Sequence, residues 1–181
     1  MGLFDFLFGG GNNNTPDTED DGFRTITVDN TYSIDIPSFI SSKVNKSDDT
    51  ALTIRYRSKN KDTALVILDD NKESVNEIRE SYQKQDTELL DFVACLTINN
   101  MFEDTSAVEI GNYDNRLINN LPAVTFNVIE KESMLQAGCV HSFAIIEGKN
   151  NIYRIVGTVA GSDIEDKLEL VEQGINTFRE L

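Results

Sequence analysis

The chain has 181 residues, 31 of them acidic and 16 basic, for a formal net charge of −15. That charge opposes long-range attraction to phosphate backbones and anionic lipid, so nucleic acid is not an expected partner. The length suits one full core with a tail rather than two large domains.

No apolar run approaches the roughly 20 residues of a membrane span. The N-terminus lacks the charged region and cleavage pattern of a secretory signal. The two cysteines, Cys95 and Cys139, are far apart in sequence, and no closely spaced pair signals a redox or zinc motif. Reduced thiols and a cytoplasmic location are the expectation.

Residues 1–22 read as a separate tail. Leu3, Phe4, Phe6, Leu7 and Phe8 form a compact apolar tag, and Gly9–Gly11 and Asn12–Asn14 form its leash. The tag suits a groove on a partner, while a self-packed terminus is the plainer reading. Myristoylation at Gly2 fails because Phe6 stands where Ser or Thr is required. The Asp17–Gly22 stretch imitates a calcium loop, but Val28 occupies the twelfth position, where a bidentate Glu belongs.

From Phe23 onward a single α+β domain, residues 23–181, is expected. Phe23, Ile26 and Val28 precede Asp29-Asn30, and Tyr32, Ile34 and Ile36 follow, as in a hairpin. Leu52, Ile54 and Tyr56 line a third strand, and the continuous apolar run Ala64–Leu68 is a fourth. Arg55, Arg57, Lys59 and Lys61 alternate along the third strand and its turn. They read as a solvated strand edge or as a docking patch for an acidic partner.

A capping box, Ser74 to Glu77, predicts a helix start. Its apolar stripe is Val75, Ile78, Tyr82, Leu89, Phe92 and Leu96, with Gln85 in one polar slot. Whether residues 92–98 continue that helix or begin a strand is open to periodicity alone. Strands are then expected at Val108–Ile110, Arg116–Ile118, Val124–Val128, Val140–Ile146 and Ile152–Val159. A second capping box, Ser162 to Glu165, opens a closing helix with Ile164, Leu168, Val171, Ile175 and Phe178 buried.

This order of strands, helix, strands, helix has three distinctive segments: Tyr32-Ser-Ile-Asp-Ile-Pro37, Asn119-Asn-Leu-Pro-Ala-Val-Thr-Phe126 and Tyr153-Arg-Ile-Val-Gly-Thr158. With them the chain resembles the PsbP-like superfamily over residues 23–181. The resemblance implies an antiparallel β-sheet flanked by helices. It also implies a mostly non-enzymatic set of partner binders: photosystem accessory subunits, a nuclear-import cofactor and bacterial chaperones for type VI secretion effectors. The matching segments are turns and core strands, so no binding residue carries over.

Catalytic parts are missing from the sequence. His141, the sole histidine, shares a strand face with Cys139, Phe143 and Ile145. Residues two apart on a strand stand about 6 to 7 Å apart at the backbone, so a packed histidine is the plainer reading than a Cys–His nucleophile. Zinc would need two further ligands, with Cys95 and an unspecified carboxylate as candidates. No phosphate-binding loop or nucleophile elbow occurs. The acidic pairs Asp69-Asp70 and Asp20-Asp21 read as solvated turns.

The expected function is therefore a non-enzymatic adaptor, chaperone or structural subunit of a bacterial assembly that binds another protein, with a homodimer as a subordinate possibility and no cofactor. The rival is a small-ligand or metal-binding protein with a pocket assembled from residues distant in sequence, His141 among them.

Overall fold

A computed structural model describes residues 22–43, 52–59, 62–130 and 138–181, with the backbone alone over 41–43 and 52–57. The apolar tag of Leu3, Phe4, Phe6, Leu7 and Phe8, the acidic linker and Lys61 lie outside the described residues.

The chain opens with β1 (Phe23–Val28) and β2 (Tyr32–Pro37), paired antiparallel with Val28 opposite Tyr32. Asp29 (φ 45°) and Asn30 (φ 56°) both adopt left-handed backbone, and Thr31 N–H closes on the Val28 carbonyl at 2.7 Å. Asp and Asn tolerate this conformation, which matches the twist of a tight hairpin. Asn119 and Asn120 repeat the device between β7 (Asp114–Ile118) and β8 (Leu121–Glu130). Leu121 and Pro122 therefore open β8 directly after the two-residue turn.

Three further strands precede any helix: β3 (Ile40–Lys43), β4 (Leu52–Ser58) and β5 (Thr63–Asn71). Five strands thus stand where four are expected. The extra one, β3, holds a single apolar residue and shows no alternation. β5 pairs with β4 on one side and β10 (Asn151–Ala160) on the other, which explains its unbroken apolar run. Leu65 and Ile67 enter one core, Ala64 and Val66 the other.

Helix α1 (Lys72–Ser81) begins earlier than its capping box suggests. Asn71 is the cap, its side-chain oxygen accepting from Glu73 N–H at 2.9 Å and Ser74 N–H at 3.1 Å. The chain then breaks, with Gln83 at φ 56°, before α2 (Leu89–Met101). The expected single stripe is therefore two helices, and residues 92–98 are helical.

β6 (Val108–Ile110) and β7 lie end to end along the outer side of β8, and β9 (Cys139–Glu147) joins β8 to β10. The eight-stranded antiparallel sheet runs β3-β4-β5-β10-β9-β8-β6, with β7 also on β8. Helices α1 and α2 cover one face, with Val75, Phe92, Val93, Ala94, Ile98 and Met101 in its core. Helix α3 (Ile164–Ile175) and a small sheet, β1-β2-β11, cover the other.

The last helix also departs from expectation. Its cap is Asp163 in left-handed conformation (φ 59°), with no side-chain cap bond, so the box at Ser162 does not form. The helix stops at Ile175 and the chain ends in β11 (Arg179–Glu180) against β2. Phe178 is buried as expected, but outside the helix, where its ring packs on Tyr32 and Tyr153.

Candidate functional site

The register of β8 and β9 sets Glu130 opposite Cys139 and Val128 opposite His141, while β10 sets Thr158 beside His141. Alternation then points Glu130, Cys139, His141 and Thr158 to the face covered by α2. His141 is fully buried, Cys139 is buried and Glu130 is partly exposed.

His141 Nε2 lies 3.2 Å from Cys139 Sγ and 3.4 Å from Glu130 Oε1. His141 Nδ1 lies 2.9 Å from Thr158 Oγ1. The Phe102 ring meets the imidazole edge-on at a centroid distance of 5.4 Å. Among the described residues, this is the one group of three His, Cys or acidic side chains whose ligand atoms converge, all within 4.8 Å of one another.

The electrostatics disfavour a catalytic pair. Hydrogen bonding from His141 holds the Glu130 carboxyl below its usual range, against the opposing effect of burial. Burial pushes the Cys139 thiol up to about 12, with the neighbouring Glu130 adding to the rise. A neutral thiol is a weak nucleophile. Moreover, thiol and carboxylate sit at the same ring nitrogen. A nucleophile–base–orienter relay needs them at opposite nitrogens.

A cleft of about 280 Å³ opens on the opposite face, between the Gly111–Asp114 bend and α3. Glu172 lines it, accepting from Asn127 Nδ2 at 3.1 Å and Ser142 Oγ at 3.3 Å. His141 is not among the lining residues, so the cleft and the Glu130–Cys139–His141 cluster are separate features.

The third feature is the β6–β7 edge. Ile110 (43% exposed), Tyr113 (37%) and Leu117 (66%) are exposed apolar side chains spaced along one face there, with Asn115 between the last two. Ile110 and Leu117 stand opposite Val128 and Pro122 of β8, on the α2 side of the sheet, and the Tyr113 ring packs on Phe126 at 4.7 Å. Burial, with Cys95 next to it, pushes the Tyr113 hydroxyl up to about 12, so it stays a neutral donor. Nothing in the residue pattern singles out these positions, because Leu117 alternates like any strand residue.

Of the sequence candidates, Arg55 and Arg57 lie on β4 at positions opposite Val66 and Ala64. β4 is flanked by β3 and β5, so it is not the sheet edge that the basic run suggested. Lys59 follows in the turn and is exposed. Glu130 was missed because nothing in its sequence neighbourhood pairs it with Cys139; only the hairpin register does.

The sequence matches no protein-family model and no curated protein. Solved structures do match. The Ran-binding protein Mog1p of Saccharomyces cerevisiae aligns at a TM-score of 0.55 and 12% identity, covering 89% of this chain and 96% of that one. Cyanobacterial PsbP (CyanoP) of Synechocystis aligns at 0.52 and 8% identity, covering 93% and 98%. The chain has a PsbP-like fold. The likeness spans the helix-clad sheet and fits the resemblance carried by Tyr32–Pro37, Asn119–Phe126 and Tyr153–Thr158. At these identities the PsbP-like fold is what is shared, and the site residues are this chain's own. No helix among the described residues is long and apolar enough to cross a membrane.

Proposed function

We propose that this chain is a non-enzymatic adaptor or structural subunit that binds another protein by taking an extended segment of it as an added strand on the β6–β7 edge. The exposed apolar side chains of Ile110, Tyr113 and Leu117 carry this reading. Among the described residues β6 and β7 pair only with β8, which makes them an edge suited to strand addition. Exposed Glu109 and Asp114 alternate to the other face of the same edge, and the chain is strongly acidic, so the partner segment is apolar and basic. Mog1p, which shares the fold, is a Ran-binding protein, and this supports a partner-binding use of the scaffold.

A chaperone role is a narrower form of this proposal. Loading of a type VI secretion effector in the bacterial cytoplasm is the narrowest, resting on the PsbP-like resemblance alone. The test is capture from the native cell by three purified chains: full length, full length lacking residues 1–11, and the Leu117→Asp/Ile110→Asp double variant. A basic partner retained by the first two, lost with the third and released by salt supports the edge as the docking site. Retention by the double variant sinks it, and loss on removing residues 1–11 alone transfers the role to the apolar tag.

A further inference from the structure

We propose that Glu130, Cys139 and His141 bind a zinc-like divalent ion, with Thr158 positioning the imidazole. The three donors are a sulfur, a nitrogen and an oxygen, converging from the paired ends of β8 and β9. Such a mixed set suits zinc or cobalt(II), whereas magnesium and calcium take oxygen ligands.

The distances support this assignment. Zinc bonds of about 2.3 Å to sulfur and about 2.0 to 2.1 Å to nitrogen and oxygen, at tetrahedral angles, put sulfur and nitrogen about 3.6 Å apart and nitrogen and oxygen about 3.4 Å apart. The observed separations are 3.2 Å for Sγ to Nε2 and 3.4 Å for Oε1 to Nε2. Sulfur and oxygen must come within about 3.6 Å, and they already lie within 4.8 Å. Glu130, the most exposed of the three at 18%, can make that adjustment by a side-chain rotation.

Thr158 provides the support that a metal-binding imidazole needs. With the proton on Nδ1, the imidazole donates to Thr158 Oγ1 and offers the Nε2 lone pair to the ion. A hydroxyl both donates and accepts, so the same contact serves the other tautomer when no ion is bound. Phe102 and Phe143, with centroids 5.4 and 6.3 Å from the imidazole, form an apolar shell. A dication held by one thiolate and one carboxylate is formally neutral, which suits this depth of burial. On binding, the Cys139 thiol gives up its proton to solvent, so one proton is released per ion.

The test is equilibrium dialysis of the full chain against zinc, with bound metal counted by mass spectrometry, and a parallel cobalt(II) titration followed by absorption. One ion per chain is expected, together with a thiolate-to-cobalt charge-transfer band. Cys95→Ser keeps both, and Cys139→Ser abolishes the band. Thr158→Val, which removes the hydrogen bond to Nδ1, weakens binding roughly 10- to 100-fold, and Glu130→Gln weakens it further. Circular dichroism on each variant separates lost binding from lost folding, and Glu130→Gln, at a partly exposed position, keeps the test decisive if Cys139→Ser unfolds. Absence of a stoichiometric ion at micromolar zinc overturns the proposal, and so does a charge-transfer band that survives Cys139→Ser or vanishes with Cys95→Ser.

Discussion

Gly157 of β10 is where α3 comes closest to the sheet. A Cβ built there falls 2.2 Å from Val171 Cγ1, 3.6 Å from Val171 Cβ and 3.8 Å from Leu65 Cδ1. Ordinary carbon contacts lie at about 3.5 to 4.0 Å, so Gly157→Ala overlaps Val171 by more than about 1 Å. Val171 is buried and β-branched, and in a helix such a side chain keeps essentially one rotamer. Relief therefore requires α3 to lift, at about 1 to 3 kcal/mol for overpacking. Against that stands about 0.4 to 1 kcal/mol gained by restricting the unfolded chain.

Val171→Ala removes two methyl groups, about 1.6 kcal/mol of transfer free energy, and about 2 kcal/mol with the cavity. In the double variant the new methyl occupies the space that Cγ1 leaves. Its cost is expected to stay near that of Val171→Ala alone, about 2 kcal/mol, instead of the sum of the two single costs, which reaches about 4 to 5 kcal/mol at the upper end. Urea and thermal unfolding of the four chains measure this, with about 2 to 4 °C of melting temperature per kcal/mol at this size. Additive costs in the double variant, or a Gly157→Ala that stabilises, would refute the close approach of α3 to β10.

Two further outcomes follow from local structure. Asn71→Ala is expected to destabilise by about 1 kcal/mol through loss of the α1 cap, while Ser74→Ala stays within about 0.5 kcal/mol, and equal effects in denaturant melts would contradict the assigned helix start. Asp69 has its carboxyl pushed from 3.8 up to about 6, chiefly by burial and then by Asp70 and Glu180. The folded chain thus holds that proton longer than the unfolded one, and this group's contribution to stability falls as pH rises from about 4 to about 6. Asp69→Asn is expected to raise the melting temperature near pH 7 and to leave it unchanged near pH 4; a gain at both would show that charge is not the cause.

Much of the scaffold was legible in sequence because two periodicities carry it. Alternation marks β1, β2 and β8, the Asp29-Asn30 and Asn119-Asn120 pairs mark turns, and the unbroken run in β5 marks a central strand. The errors arose where tertiary contacts decide. Lys72 N–H bonds the Asn150 carbonyl at 2.9 Å, so β5 runs directly into α1 and the cap falls to Asn71 rather than Ser74. The stripe from Val75 to Leu96 kept helical spacing across a real break, because its polar slot at Gln85 falls inside the break that left-handed Gln83 opens. Phe178 fits a helical stripe yet is buried by the Tyr32 and Tyr153 rings.

The candidate sites were legible only in part. His141 and Cys139 could be placed on one strand face from alternation alone. Glu130 joins them through the β8–β9 register and Thr158 through β10, and neither pairing leaves a mark in sequence spacing. The β6–β7 edge is similarly silent. Leu117 and Ile110 look like core residues until the sheet order shows no neighbour beyond them among the described residues.

Partner binding at that edge is tested most directly by placing a photoreactive residue at position 117 or, as a control on α3, at exposed position 165, and irradiating the native cell. A discrete adduct with one basic protein is expected from position 117 and none from position 165. Equal adducts from both positions, no adduct from position 117, or an adduct only with a second copy of this chain would contradict it.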